Sequence, residues 1–381
     1  MLTNHTDNAT SPPLKGLKVL EFSGLGPAPL AGQLLADLGA DVITVDRASQ
    51  NEADPTDIHR RNKRSIALNL KSAEGVAVVQ RLLADTDILL EGFRPGVMER
   101  LGLGPKDCPS HIIYGRVTGW GQDGPLAQSA GHDINYLALT GALHAIGPSD
   151  APVPPLNLVG DYAGGTMFLL FGVFAALFER QKSGQGQVVD AAMVDAVPAM
   201  MGLLQGMLAK QQWVDARQRN LLDGGAPFYH CYATADDQFI SVGALEPQFF
   251  AELCRLAGLP EETEDYSRHD PSSWASMREH YASVFRCKTR DEWSAIFAGS
   301  DACVAPVLSM TEAAQHPHNQ YRGVFLAEEV LQAAPAPRFS RSVTEPPRAP
   351  QAVGRDGELI LQSLGFSAAE INALRESGVL R

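Results

Sequence analysis

Apolar residues dominate positions 17–22 as a short run, recur with helical spacing over 28–38, and mark a second strand candidate at 41–45. Short apolar runs bounded by turn residues read as strands, so this stretch predicts a βαβ unit. The alternation continues with a strand at 65–70, a helix at 73–84 with apolar positions at 76, 79, 82 and 83, a strand at 87–90, and another at 111–117. Strands separated by helices predict a parallel sheet covered on both faces, that is, a large doubly wound, Rossmann-like domain of α/β class. Ligands of such a sheet bind beyond the carboxyl ends of its strands, here 23–26, 46–47, 91–94 and 118–121.

Further along, an apolar helix is expected at 167–180; its longest apolar run, 167–178, is shorter than the roughly 20 residues that span a membrane, and predicts a core helix. A Gly-rich turn at 183–186 then leads to a strand at 187–190 and a long apolar helix at 191–208. Beyond it the pattern changes. Runs at 228–233 and 239–242 flank a polar turn as an antiparallel hairpin, with helices expected at 247–257 and 291–298. The expected division is a disordered tail over 1–13, a large domain over 14–210, a linker over 211–224, a smaller α+β domain over 225–325, and a Pro-rich return arm over 326–381 that ends in a helix at 368–374.

Of 381 residues, 45% are hydrophobic and 20% charged, an ordinary globular balance. The net charge of −13 speaks against a nucleic-acid partner, because phosphate backbones call for a clustered cationic field. Local basic positions persist within it at Arg47, 60–64, Arg94 and Arg100. The 5 cysteines are scattered and include no Cys-x-x-Cys pair, which predicts neither a disulfide framework nor a zinc site. Residues 1–13 lack the apolar centre of a signal peptide, so a reducing, cytoplasmic setting is expected.

Gly24-Leu25-Gly26, with Asp46 about 20 residues on, invites a dinucleotide reading. The fingerprint fails, because Pro27 removes a backbone donor and Pro29 stands where the third glycine would allow close packing. Arg47 suits a ribose phosphate, and Arg60-Arg61-Asn62-Lys63-Arg64 suits a diphosphate held by charge-assisted bonds; coenzyme A carries both groups, while a solvated basic loop is the plainer alternative. His132 follows a glycine and precedes a helix expected at 134–143, where the helix dipole disfavours its protonated form and leaves a neutral base, although a lone histidine there is more often structural. Asp161, opening the apolar helix, is either an N-cap or an acid whose pKa is raised by apolar surroundings. Glu246, just before a proline-initiated helix, reads on its own as a capping acid.

Together these segments resemble the family III coenzyme A transferase superfamily and, within it, the α-methylacyl-coenzyme A racemases. The likeness runs from Leu17 to about Arg341 and rests on ordered strings: 17–40 with its Gly-Pro-x-Pro turn, Glu91-Gly92-Phe93-Arg94-Pro95-Gly96, Thr118-Gly119-Trp120-Gly121-Gln122, 131–136, 154–161, 186–195, Asp223-Gly224-Gly225-Ala226-Pro227 and 243–249. Tyr162-Ala163 beside the acid is a mild departure, and the tail beyond Pro350 carries none of the likeness.

The resemblance implies an interlocked homodimer with its active site between subunits. It implies that His132 and Asp161 transfer protons and that Glu246, delivered from the partner subunit's small domain, supports the imidazole. Coenzyme A contacts are implied at Arg47, Leu68, Asn69, Leu70, Lys71, Gly92, Phe93, Arg94 and Arg100, and again at Gly131, Asp133, Ile134, Asn135 and Tyr136. The implied reaction is inversion of the α-carbon of 2-methylacyl-coenzyme A thioesters through an enolate, with no metal or other cofactor and no membrane partner. Backbone amides near Gly131 and His132 are expected to meet the enolate oxygen. A coenzyme A transferase of the same superfamily, with Asp161 as nucleophile, is the main rival, and a catalytically silent coenzyme A binding protein is another. The transferase needs no base at position 132, so His132 together with Glu246 favours the racemase.

Overall fold

Six parallel strands form the sheet that the alternating pattern predicts: β1 Lys18–Phe22, β2 Asp41–Asp46, β3 Arg64–Ala67, β4 Ile88–Glu91, β5 Ile113–Thr118 and β6 Val188–Ala192. Their order is β3-β2-β1-β4-β5-β6, and Leu20 of β1 stands level with Ile43 on one side and Leu89 on the other. The computed structural model describes residues 11–47, 53–260, 267–326 and 328–381.

The strands carry apolar residues at successive positions, such as Val19-Leu20 and Ile88-Leu89-Leu90, because both faces are covered. Val19, Ile88 and Leu90 point to a core shared with Ala31 and Leu35 of the helix Pro27–Asp37 and with Leu169 and Val173 of the helix Phe168–Ser183. Leu20 and Leu89, one step out of phase, point to the opposite core, shared with Val78, Val79 and Leu82 of the helix Ala73–Leu83. Ser72 caps that helix by accepting the Gly75 N–H at 3.0 Å. Strand order reverses at β1 and β4, and in such sheets the carboxyl ends at the reversal open a crevice.

The chain forms two units, one of Met1–Leu139, Leu156–Ala199 and Gly323–Arg381, the other of Thr140–Pro155 and Met200–Arg322. The stretch 211–224, expected as a linker, lies in the second unit, and the return arm expected over 326–381 lies in the first. There the helices Gly357–Ser363 and Ala368–Glu376 bury Ile360, Leu361 and Ile371 in the same core as Leu20. The disordered tail expected over 1–13 falls, for residues 1–10, outside the described residues. The second unit is built on an antiparallel sheet of β7 Tyr229–Ala233, β8 Phe239–Gly243 and β9 Val304–Pro306, with Phe250, Tyr281, Phe285 and Trp293 from its helices in the core.

Two helices depart from expectation. The segment 191–208 is two helices, Met193–Met200 and Gly202–Ala209, with Pro198 inside the first, where it cannot donate a backbone hydrogen bond. The helix expected from 167 begins at Leu158, where a π-helical stretch, Leu158–Met167, runs directly into Phe168–Ser183. The continuous element Leu158–Ser183 is long and apolar enough to cross a membrane by length and composition alone, yet Leu169 and Val173 are fully buried in the protein's own core.

Candidate active site

Asp161 lies within the first turn of the π-helical stretch, and Asn157 occupies the cap position, so the N-cap reading of Asp161 does not hold. Wide π-type turns recur at functional sites because they re-aim a side chain without ending the helix. Here the turn is fastened from several sides. The Asp161 N–H donates to Asp133 Oδ2 at 2.7 Å, an approach that needs glycine at 160, where a Cβ would sit 2.5 Å from the same oxygen. The Asp161 carboxylate overlies Gly26, whose φ of 76° at the exit of β1 suits glycine. Thr166 Oγ1 donates to the Pro27 carbonyl at 2.8 Å, binding the stretch to the same turn.

These surroundings push the Asp161 carboxyl above the usual carboxylate range. Burial is the main cause and the nearby Asp133 charge adds to it, against a hydrogen bond from Asn157 at 3.5 Å and the charge of His132. His132 is exposed and immediately precedes the helix Asp133–Thr140. Its own N–H donates to Asn135 Oδ1 at 3.0 Å, so that amide is already taken and the expectation that it meets an enolate oxygen is corrected. Behind it, Tyr136 Oη donates to the Gly131 carbonyl at 2.5 Å, and its ring meets Trp120 edge-on with centroids 4.7 Å apart, joining the 118–122 and 131–136 strings. Burial is the main cause that pushes the Tyr136 hydroxyl up, with the charges of Asp161 and Asp133 adding to it and that of Arg94 opposing.

Asp133 Oδ1 is buried without a hydrogen-bond partner, so this carboxylate acts on Asp161 through charge as well as through its bonded oxygen. Replacing Asp133 with Asn keeps an acceptor for the Asp161 amide and removes the charge. The Asp161 carboxyl should then ionise at lower pH, since a carboxyl relieved of a like charge ionises more readily. A carboxyl titration followed by NMR checks this; an unmoved midpoint, or one moved upward, contradicts it.

Beyond the carboxyl ends of β1 to β4 lies a cavity of about 620 Å³. It brings together Arg47, Leu68, Asn69, Leu70, Lys71 and Phe93 from three separate strand exits, with Phe22 and Val97 beside them. Gly378 and Arg381 also line it. Arg94 and Arg100 are exposed near the exit of β4, with Gly92 next to Phe93, while Ile134 and Asn135 are exposed on the first turn of the Asp133–Thr140 helix.

The basic stretch 60–64 is neither a free cluster of cations nor, for the most part, a solvated loop. Arg60 pairs with Asp46 at 2.7 Å, Arg61 with Asp37 at 2.5 Å, Lys63 with Glu21 at 2.6 Å and Arg64 with Asp41 at 2.5 Å. Arg60, Arg61 and Lys63 are committed to buried carboxylates, while the Arg64–Asp41 pair is partly exposed. Glu246 lies in the second unit at the N-cap position of the helix Pro247–Ala257, but its side chain makes no capping hydrogen bond and is exposed. The capping reading therefore does not describe what its carboxylate does.

Sequence reasoning missed a chain of hydrogen bonds behind Asp161. Tyr162 Oη donates to His59 Nε2 at 3.4 Å, His59 Nδ1 donates to Gln33 Oε1 at 2.9 Å, and Gln33 Nε2 donates to Asp37 Oδ2 at 3.3 Å. The carboxylate can only accept, which orients the Gln33 amide and in turn the His59 tautomer. Burial and the neighbouring Lys63 push the His59 pKa down, keeping the ring neutral as this arrangement requires. The hydroxyl of Tyr162, a departure visible in the sequence, was the available signal.

Residues 14–356 match the model of CoA-transferase family III, and the chain belongs to that family. An alpha-methylacyl-CoA racemase of Mus musculus is 44% identical over 375 residues, 96% of this chain and 97% of its own length. The Homo sapiens protein of the same name is 42% identical over 378 residues, with 96% and 97% covered. A solved CAIB/BAIF family protein from Brucella suis shares the fold with a TM-score of 0.78 at 23% identity, over 93% of this chain and 100% of its own.

Proposed function

We propose that the protein racemises the α-carbon of 2-methylacyl-coenzyme A thioesters by removing a proton from one face and returning one to the other. The observation that carries this reading is the juxtaposition of His132 with an Asp161 carboxyl whose pKa is raised by burial. The α-proton of a thioester is weakly acidic, so inversion needs a base and an acid on opposite faces of a planar enolate. Neutral His132 takes the proton from one enantiomer while protonated Asp161 supplies the other face, and the roles reverse for the second enantiomer. The likeness to the mouse and human racemases along nearly the whole chain supports the substrate class.

In this reading the coenzyme A moiety occupies the cavity at Arg47, the 68–71 segment and Phe93. The protein works as an interlocked homodimer in which Glu246 of the partner subunit holds the second nitrogen of His132. An exposed apolar stripe at Met167, Phe171, Phe174 and Phe178, recurring along one face of a helix, supports an apolar partner surface. The chemistry uses no metal or redox cofactor, and the setting is cytoplasmic.

The test is incubation with one enantiomer of a 2-methylacyl-coenzyme A in deuterated water with no second acid present. Deuterium entering the α-carbon while the enantiomer ratio drifts to equality is the expected result. An unlabelled substrate from which coenzyme A moves once a free acid is added would make Asp161 a nucleophile and the protein a transferase. A protein that binds coenzyme A and does neither would be the silent binder.

A further inference from the structure

We propose that the C-terminal segment supplies a ligand for the coenzyme A 3′-phosphate, the guanidinium of Arg381; this rests on the coenzyme A reading of the cavity given above. Arg381 lies outside residues 14–356, the stretch matched by the family, and the likeness seen in the sequence ends earlier still.

The segment is built into the first unit. Leu380 is 3% exposed and forms an antiparallel bridge with Leu68, directly beyond β3. The Asn69 N–H donates to the Val379 carbonyl at 2.9 Å, and the Arg381 N–H donates to the Ala67 carbonyl at 3.2 Å. The helix Ala368–Glu376 that leads into it is closed at its start by a reciprocal Ser367 and Glu370 cap, with Ser367 Oγ donating to Glu370 at 2.7 Å. The backbone at 381 is therefore pinned to the strand exit that also presents Lys71.

The chemistry of the cavity matches one end of coenzyme A. Arg47, Lys71 and Arg381 bring cations from three places in the chain, in a protein whose net charge is −13. Asp46, which also lines the cavity, has its oxygens taken by Arg60 at 3.0 and 2.7 Å and by Ser65 at 2.6 Å, so it does not neutralise them. The half-buried side chains of Leu70, Phe93, Val97 and Leu101 add apolar surface suited to a purine. Converging cations beside a flat apolar wall suit a phosphorylated nucleoside, and guanidinium is well matched to phosphate oxygens. Arg381 is anchored at β3, the edge strand, whereas His132 follows β5 across the sheet. The ligand phosphate most remote from the thioester is the 3′-phosphate, and this geometry assigns it to Arg381.

Calorimetric titration of the full chain with coenzyme A and with 3′-dephospho-coenzyme A tests the assignment. The unaltered protein should bind coenzyme A more tightly. Arg381→Gln should weaken coenzyme A about tenfold, as expected for one lost hydrogen bond to a charged group, and leave the dephospho compound unchanged. Arg381→Lys should fall between them. Equal weakening of both ligands, or of neither, overturns the assignment. If the unaltered protein binds neither compound, the coenzyme A reading of the cavity fails and this inference with it. If discrimination depends on Arg381 but no α-proton exchange occurs, the racemase reading fails while the phosphate site stands.

Discussion

His132→Ala and Asp161→Asn should each lower racemisation about a thousandfold in both directions, the order of magnitude by which a positioned proton donor or acceptor accelerates such a step. A thousandfold corresponds to about 4 kcal/mol of lost transition-state stabilisation. The more telling result concerns isotope exchange. With two groups on opposite faces, each variant keeps one of them, and that group can still remove and return the proton on its own face. Each variant should therefore exchange α-hydrogen with deuterated solvent in one enantiomer only, with retention of configuration, and the two variants should favour opposite enantiomers. Exchange measured by mass spectrometry, with the product resolved on a chiral phase, reads both quantities. A His132→Ala variant that still racemises would leave Asp161 as a single base serving both faces. Loss of exchange in both enantiomers from either change would sink the division of labour.

The Asp161 environment that makes this pair work was only partly legible in the sequence. The central strands were readable because burial on both faces demands apolar residues at successive positions, as in Val19-Leu20 and Ile88-Leu89-Leu90, and no tertiary information is needed to see them. The π-helical turn at Leu158–Met167 was not, because its width is held by distant partners, Asp133, Gly26 and Pro27. The basic stretch 60–64 was misread for the same reason. Its carboxylates at Glu21, Asp37, Asp41 and Asp46 lie along two other strands and a helix, and nothing local marks them as partners. The segment ending at Arg381 docks through a single bridge and a few backbone bonds, too short for any periodicity to show. The residues whose chemistry resembled a known family could be singled out by type, but which of them meet was a matter of topology.

Lys63→Met should destabilise the protein by about 3–5 kcal/mol near neutral pH, the range found when one partner of a buried ion pair is removed. Lys63 is 7% exposed and Glu21 2%, and Lys63 Nζ donates to Glu21 Oε2 at 2.6 Å and to the Pro29 carbonyl at 2.8 Å. The pair thus ties β1 to the first turn of the helix Pro27–Asp37, whose start underlies Asp161. Burial pushes the Glu21 carboxyl up and the Lys63 ammonium down, each opposed by the other's charge. Without Lys63 the opposing influence on Glu21 is lost, and its folded-state pKa rises further above its unfolded value. The folded variant then holds a proton that the unfolded chain releases, so stability is greatest below the ordinary carboxylate pKa and falls as pH rises toward the folded value. Urea denaturation at pH 5 and pH 8 should show the larger deficit at pH 8. A companion Glu21→Gln/Lys63→Met variant should recover much of the loss and lack the pH dependence, since no buried charge is left unpaired. Equal deficits at both pH values would mean that lost packing around the Lys63 stem, rather than the stranded Glu21 charge, dominates.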